Sequence, residues 1–420
     1  MSKAKILLSI VLSALVLVGL LAAFVNPASA VDKTAITFWT LSTRQTALEE
    51  IIRDFNAAND DVQVVASFFD IDGIKDAKKV AASSGTLPSM WFNWGGSLGG
   101  FYSDNYLTYD LTDYAKANDW DNIFLPGALQ LVTRNGQVTG FPTSLNILGM
   151  YYRKDVFERL GLSEPTTMEE LEAVCDALIA DGITPMASGG LYGWHIMRYV
   201  EQIIEYYAGA ELHDKMNTFQ ESYDNETVVK ALTKYKEFVD KRYFPLGFVT
   251  ASPNDTRMAV VTGMAAMDLQ GPWYDGQLLQ DGMDLNNFGT FAFPSGGTNR
   301  LSAFAEMMQF NKNLSDVELE AAMRFAHYYY SDNSVARFPE YYNLPIPMQG
   351  QPMPEGMPNV ANLFALSDAN GTFTITDQAF PTEICDALFA VQDAIALDQM
   401  EPAEGAMRIQ AAIEAYLENQ

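Results

Sequence analysis

The chain has 420 residues and carries 53 Asp and Glu against 26 Lys and Arg, a formal net charge of −27. Gripping a phosphate backbone needs clustered Lys and Arg, so this balance argues against a nucleic-acid partner. The excess acid reads as a solvated surface that mildly disfavours anionic ligands, and the length predicts two domains in place of one ordinary core.

In chain order, Lys3 and Lys5 precede the uncharged run Ile6–Val25. Asn26-Pro27 breaks it, and Ala28-Ser29-Ala30 supplies a small-residue cleavage pattern. Residues 1–30 are therefore expected to be a signal peptide cut after Ala30, with an uncleaved anchor as the alternative, since about twenty apolar residues can span a bilayer. There is no Cys near residue 30 to take a lipid, so an exported, periplasmic protein is expected.

Ala35–Trp39 reads as a short strand, Leu48, Ile51, Ile52 and Phe55 as one helix face, and Val62–Phe69 as a second strand. A helix over 73–83 and the apolar run Met90–Phe92 complete a β-α-β-α-β rhythm, which argues for a largely parallel sheet. The rhythm restarts after Pro142. Ile147–Tyr152 reads as a strand, Asp155–Leu160 as a short helix, and Thr167 with Glu170 as a capping box ahead of the Leu171 face. Helices are expected over Ile196–Tyr207 and Val228–Asp240, then a strand over Val260–Leu269 running into Gly271-Pro272. Cys175 and Cys385 each sit on an apolar helical face. They read as buried thiols, although an oxidising compartment leaves a disulfide open.

Several stretches, in order, carry a resemblance. They are Ile36–Thr40; Phe55–Asn59 with Val62–Val64; Gly85-Thr86-Leu87-Pro88-Ser89-Met90-Trp91-Phe92; Gly140–Ser144 through Met150–Phe157 and Pro165–Leu171; Gly263–Met267 into Gly271-Pro272-Trp273; and Phe293-Pro294 with Phe310-Asn311. Across nearly the whole mature chain this resembles the family-1 extracellular solute-binding proteins of ABC importers, the maltodextrin and multiple-sugar-binding type. Ser89 and Met168 depart from the usual Asp and Trp of that pattern, and the lipid-attachment Cys of some members is missing.

The resemblance implies an α/β, two-lobed periplasmic-binding-protein fold of type II-like form, with a ligand cleft between lobes joined by hinge strands. Residues 31–142 and 273–338 would build the N-lobe, and 143–272 and 339–420 the C-lobe. Crossings would fall near Thr143–Asn146, Gln270–Trp273 and Pro339–Pro345. It further implies a monomeric substrate-binding component that carries a mono- or oligosaccharide to membrane permease subunits, with no cofactor and no catalysis.

A sugar presents hydroxyls that need paired donors and acceptors, and C–H faces that stack on aromatic rings. Trp273, after Gly271-Pro272, is the first choice for a stacking residue, with hinge packing as its alternative. Asn93 and Trp94 lie in a glycine-rich loop after a strand, and Trp194 follows Gly193 and precedes a helix. Trp39 and Thr40 end the first strand, Arg44 begins the next loop, Asn146 falls in the first crossing, and Glu306 is an acid in an apolar run. Each has a structural alternative: a turn for Asn93-Trp94, a helix cap for Trp194, an internal ion pair for Glu306. The adjacent Tyr151 and Tyr152 should point to opposite faces of a strand and serve packing.

Asp70-x-Asp72-Gly73 lacks the spacing of a calcium loop, and His195, His213 and His327 have no metal-ligand spacing. Other functions remain open: a binder of glycerol-3-phosphate, for which Arg44 is the obvious basic residue; a polyamine binder; or a secreted glycoside hydrolase, which needs two facing carboxylates. With 53 acidic residues, such pairs carry no information.

Overall fold

Strand alternation and helix caps build the first sheet. The structure, a computed structural model, describes residues 33–337 and 346–419. The leader and the crossing expected near Pro339–Pro345 lie outside them. In β1 (Thr34–Leu41) the side chains of Ile36, Phe38 and Thr40 are buried between outward neighbours. The helix Gln45–Ala58 buries Leu48, Ile51, Ile52 and Phe55, and β2 (Val62–Phe69) then pairs in parallel from Thr34↔Val62 to Leu41↔Phe69. Asp70 caps the next helix, Ile71–Ser84, by accepting the Gly73 amide at 2.6 Å, and Gly85 closes it at φ 70°. β3 (Met90–Trp94) returns parallel to β1.

After a small hairpin of β4 (Thr133–Arg134) and β5 (Gln137–Val138), β6 (Phe141–Ile147) joins the first sheet through β11 (Leu301–Phe310). Its register shifts between Glu306 and Met307, so Thr143 is bulged. Only Leu148 separates β6 from β7 (Gly149–Arg153), which opens a second sheet with β8 (Thr184–Ala187), β9 (Ala265–Gln270) and β10 (Phe288–Phe291). The second sheet runs β10-β7-β9-β8. The first runs β12-β11-β3-β1-β2, where β12 is Thr372–Thr374. One large apolar core lies under each sheet, and the molecule is two-lobed.

Four expectations need correction. The strand foreseen over Val260–Leu269 begins only at Ala265, as β9, because Val260 and Val261 end a helix, Pro253–Val261, started by Ser252 and Pro253. The first crossing lies at Leu148, because Asn146 and Ile147 still pair with β11. The second does not fall at Gln270–Trp273. The helix Trp273–Gln280 leads into β10, which pairs antiparallel with β7, so the chain leaves the second sheet only across 292–300. The last segment is not all C-lobe, since β12 pairs with β11. The helices Thr382–Ala396 and Pro402–Leu417 do pack on the second lobe, against Trp194–Asn217 and Glu226–Asp240.

Cys175 and Cys385 are free, buried thiols. Tyr151 and Tyr152 pack into different cores. Thr167 accepts the Glu170 amide, but the Glu170 carboxylate returns to Thr166, one residue early for a capping box.

The helix Trp194–Asn217, bent at Gly209, ties the second lobe to the crossings. Its buried Glu205 receives Arg300 Nε at 2.8 Å, Arg300 Nη2 at 3.0 Å, Thr298 Oγ1 at 2.9 Å and His213 Nδ1 at 2.6 Å. Arg300 also pairs with Asp214, directly before β11 begins. Burial alone would raise the Glu205 pKa; hydrogen bonds from His213 and Arg300 outweigh it and hold the carboxyl at about 2.

Candidate functional site

Parallel strands bring their C-terminal ends to one edge, where open α/β sheets place ligands. Here the edges of both lobes face a shared cavity of about 690 Å³. From the first lobe come Thr40 to Thr43 at and after the end of β1, Asp70 to Asp72 after β2, and Trp94 at the end of β3. The second contributes Gln270 at the end of β9, Trp273 just beyond it, and Trp194 and Arg198 from the first turns of a helix. The floor is made by crossing segments: Thr143 and Ser144 of β6, Phe304 and Glu306 of β11, and Ile375, Asp377 and Gln378 after β12.

On the second lobe, a guanidinium lies between two indoles. Arg198 Cζ sits 4.5 Å from the Trp194 ring centroid and 5.2 Å from that of Trp273. Arg198 falls four residues after Trp194, one helical turn along the same face. Its Nη1 and the Trp273 Nε1 donate to the same Gln270 Oε1, at 3.1 and 3.2 Å. Behind Gln270, buried Asp268 and His195 are joined at 2.9 Å, and Trp194 stacks on His195. Gly271 completes the wall, since a Cβ there would run into the Trp273 ring. Burial pulls the Arg198 pKa below its usual value.

On the first lobe, Trp94 is half-buried and meets Phe92 edge-on at 4.8 Å. Lys75 and Lys78 approach its ring at 5.2 and 5.4 Å. Lys78 is buried, donating to Phe92 O at 3.0 Å and Asn93 Oδ1 at 2.7 Å. Burial, and then the Lys75 charge, hold its pKa well below the ordinary lysine value.

Of the residues expected from sequence, Thr40, Trp94, Trp194, Trp273 and Glu306 line this cavity. Trp39 does not: adjacent strand residues face opposite ways, Thr40 takes the cavity side, and Trp39 packs on Phe69 with centroids 5.2 Å apart. Asn93 is buried in the scaffold, bonded to Lys78 and Gln309. Asn146 is also fully buried and reaches the cavity only through a relay. It donates to Ser144 Oγ at 2.8 Å, which donates to Glu306 at 2.8 Å. Arg44 belongs to the single turn Ser42–Arg44 whose other residues border the cavity.

Sequence reasoning missed Lys75, Arg198, Asp377 and Gln378. The one-turn offset from Trp194 could have found Arg198. Asp377 and Gln378 come from a stretch with no motif.

The lining charges are mostly spoken for. Lys75 pairs with Asp72 at 3.1 Å and Arg257 with Asp281. Among the described residues, Arg198 hydrogen-bonds only neutral groups. The wall therefore combines indole faces with amides, hydroxyls and carboxylates.

A sequence profile described as bacterial extracellular solute-binding protein matches residues 50–363. The multiple sugar-binding protein of Streptococcus mutans is 24% identical over 335 residues, covering 76% of each chain. Among solved structures, a chitin oligosaccharide binding protein superposes with a TM-score of 0.83 at 22% identity, covering 91% of this chain and 99% of that one. A structure from work on xylan utilization by the thermophilic bacterium Caldanaerobius polysaccharolyticus gives a TM-score of 0.80 at 22% identity, over 90% of this chain and 100% of the other.

Proposed function

Because the chain belongs to the bacterial extracellular solute-binding protein family, we propose that it captures a neutral saccharide in the interlobe cavity and delivers it to the permease of an ABC importer, without turnover. The observation that carries this reading is the placing of Trp94 from one lobe and of Trp194 and Trp273 from the other around a single cavity of about 690 Å³. That volume falls within the roughly 300–1,000 Å³ common for small-molecule sites. Indole faces suit the C–H faces of a pyranose, and the surrounding Gln270, Gln277, Gln378 and Thr40 suit its hydroxyls.

A phosphorylated polyol fits less well. Lys75 and Arg257 already have acidic partners, and Asp70, Asp72, Glu306 and Asp377 add negative potential. The names of relatives, a multiple sugar-binding protein and a chitin oligosaccharide binding protein, agree with a saccharide. Export would follow cleavage near Ala30, and lobe closure over the ligand would be the signal to a permease.

The test is a thermal-shift panel of maltotriose, xylotriose and N,N′-diacetylchitobiose against glycerol-3-phosphate and spermidine. A ligand at a hundred times its Kd stabilises by about 2.7 kcal/mol. We expect a shift with at least one saccharide, none with glycerol-3-phosphate, and no new reducing ends after prolonged incubation. A shift with glycerol-3-phosphate or spermidine alone, or release of reducing ends, would sink the reading.

A further inference from the structure

Asp377 lies in the single helical turn Thr376–Ala379, just after β12, and lines the cavity. The other carboxylates on that wall are engaged: Asp70 with the Gly73 amide at 2.6 Å, Asp72 with Lys75 at 3.1 Å, Glu306 with Ser144 at 2.8 Å. Asp377 differs, since no other residue among those described hydrogen-bonds or ion-pairs with its carboxylate. Lys75 from one lobe and Arg198 from the other attract it only at a distance. Burial consequently raises its pKa above the ordinary aspartate value. On the same wall, Trp194 Nε1, Arg198 Nε and Gln378 Oε1 are buried without a hydrogen-bond partner among the described residues.

Asp377 is half-buried, and a carboxylate that lines a cavity and meets no protein donor keeps its acceptor lone pairs for whatever enters that cavity. The turn that carries Asp377 is held firmly. Ser97 Oγ donates to Phe380 O, Gly96 adopts φ +61° with its Cα against Gln378 O, and the Thr376 amide donates to Glu201 at 2.8 Å. The carboxylate is therefore positioned by its backbone and left open on its acceptor side.

We propose that Asp377 is a ligand-anchoring residue, accepting hydrogen bonds from neighbouring hydroxyls of a sugar ring seated against Trp194 and Trp273. This rests on the saccharide reading above and narrows it. The ring at this end of the cavity must present free hydroxyl donors, so a substituent that caps them is rejected.

The experiment is calorimetry on wild type and Asp377→Asn with the saccharide of the panel that shifts the wild type most, alongside melting of both empty proteins. Hydrogen bonds to a charged group are worth enough that affinity should fall roughly 10- to 100-fold. The empty variant should melt at the same temperature or higher, because an unpaired carboxylate has been neutralised without change of shape. Affinity within threefold of wild type, or an affinity loss accompanied by a lower melting temperature of the empty variant, overturns the inference and makes Asp377 a structural residue. Spermidine binding by a wild type that binds no saccharide instead overturns the functional reading itself.

Discussion

Glu205 and Asp377 are carboxylates on segments that meet at the lobe crossings, and they have opposite surroundings. Glu205 takes hydrogen bonds from Arg300, Thr298 and His213. Asp377 takes none from any other described residue. Their pKa values move in opposite directions, down to about 2 for Glu205 and upward for Asp377. The difference separates scaffold from reader: a saturated carboxylate fixes chain geometry, whereas an open one faces the space where a ligand would complete it. The helix Trp194–Asn217 holds both functions, with Trp194 and Arg198 on the cavity and Glu205 about two turns beyond Arg198 on the crossing.

The largest effect should come from breaking the saturated side. Arg300→Met leaves the Glu205 charge buried without its main partner, a change that typically costs about 3–5 kcal/mol. Urea unfolding should show that loss. The pH dependence should sharpen it. A depressed carboxyl contributes stability above its unfolded pKa, near 4.3, and loses it as pH falls towards the folded value of about 2. Wild type should therefore lose stability across that window, and Arg300→Met should lose less. A penalty below about 1 kcal/mol would mean that Glu205 finds other partners, and the contrast with Asp377 would collapse.

Next in size is Trp273→Ala on the reading side. It removes one indole of the Arg198 sandwich and the proposed stacking face. Saccharide affinity should drop about 100-fold, or about 2.7 kcal/mol, with unfolding little changed. Titration calorimetry giving affinity within threefold of wild type would remove Trp273 from the site.

The same division explains what could be read from sequence. Periodicity and punctuation placed β1, β2 and the helix Gln45–Ala58 well, because each buries one regular face. They failed at Val260, where Ser252-Pro253 start a helix whose short apolar face resembles a strand run. The second crossing, implied by the family resemblance, was also misplaced, because pairing of β10 with β7 is a non-local choice invisible to local pattern. Within the cavity, aromatic residues beside glycine turns were legible: Trp94, Trp194 and Trp273. Asp377 was not, since an aspartate is marked as open only by what fails to surround it.

Asn93 is the sharpest case, because it neighbours Trp94 in sequence yet belongs to the scaffold. Its Oδ1 receives the buried Lys78 ammonium at 2.7 Å, and its Nδ2 donates to Gln309 at 2.7 Å. Asn93→Ala leaves Lys78 with one acceptor, the Phe92 carbonyl, and strips Gln309 of a donor. A loss of about 1–3 kcal/mol follows for groups left unsatisfied in the interior. Saccharide affinity should stay within about threefold, roughly 0.7 kcal/mol, because Trp94 retains its strand and its Phe92 contact. If affinity fell more than tenfold while urea unfolding was unchanged, Asn93 would belong with Asp377, and burial and saturation would no longer separate the residues that hold the cavity from those that read its contents.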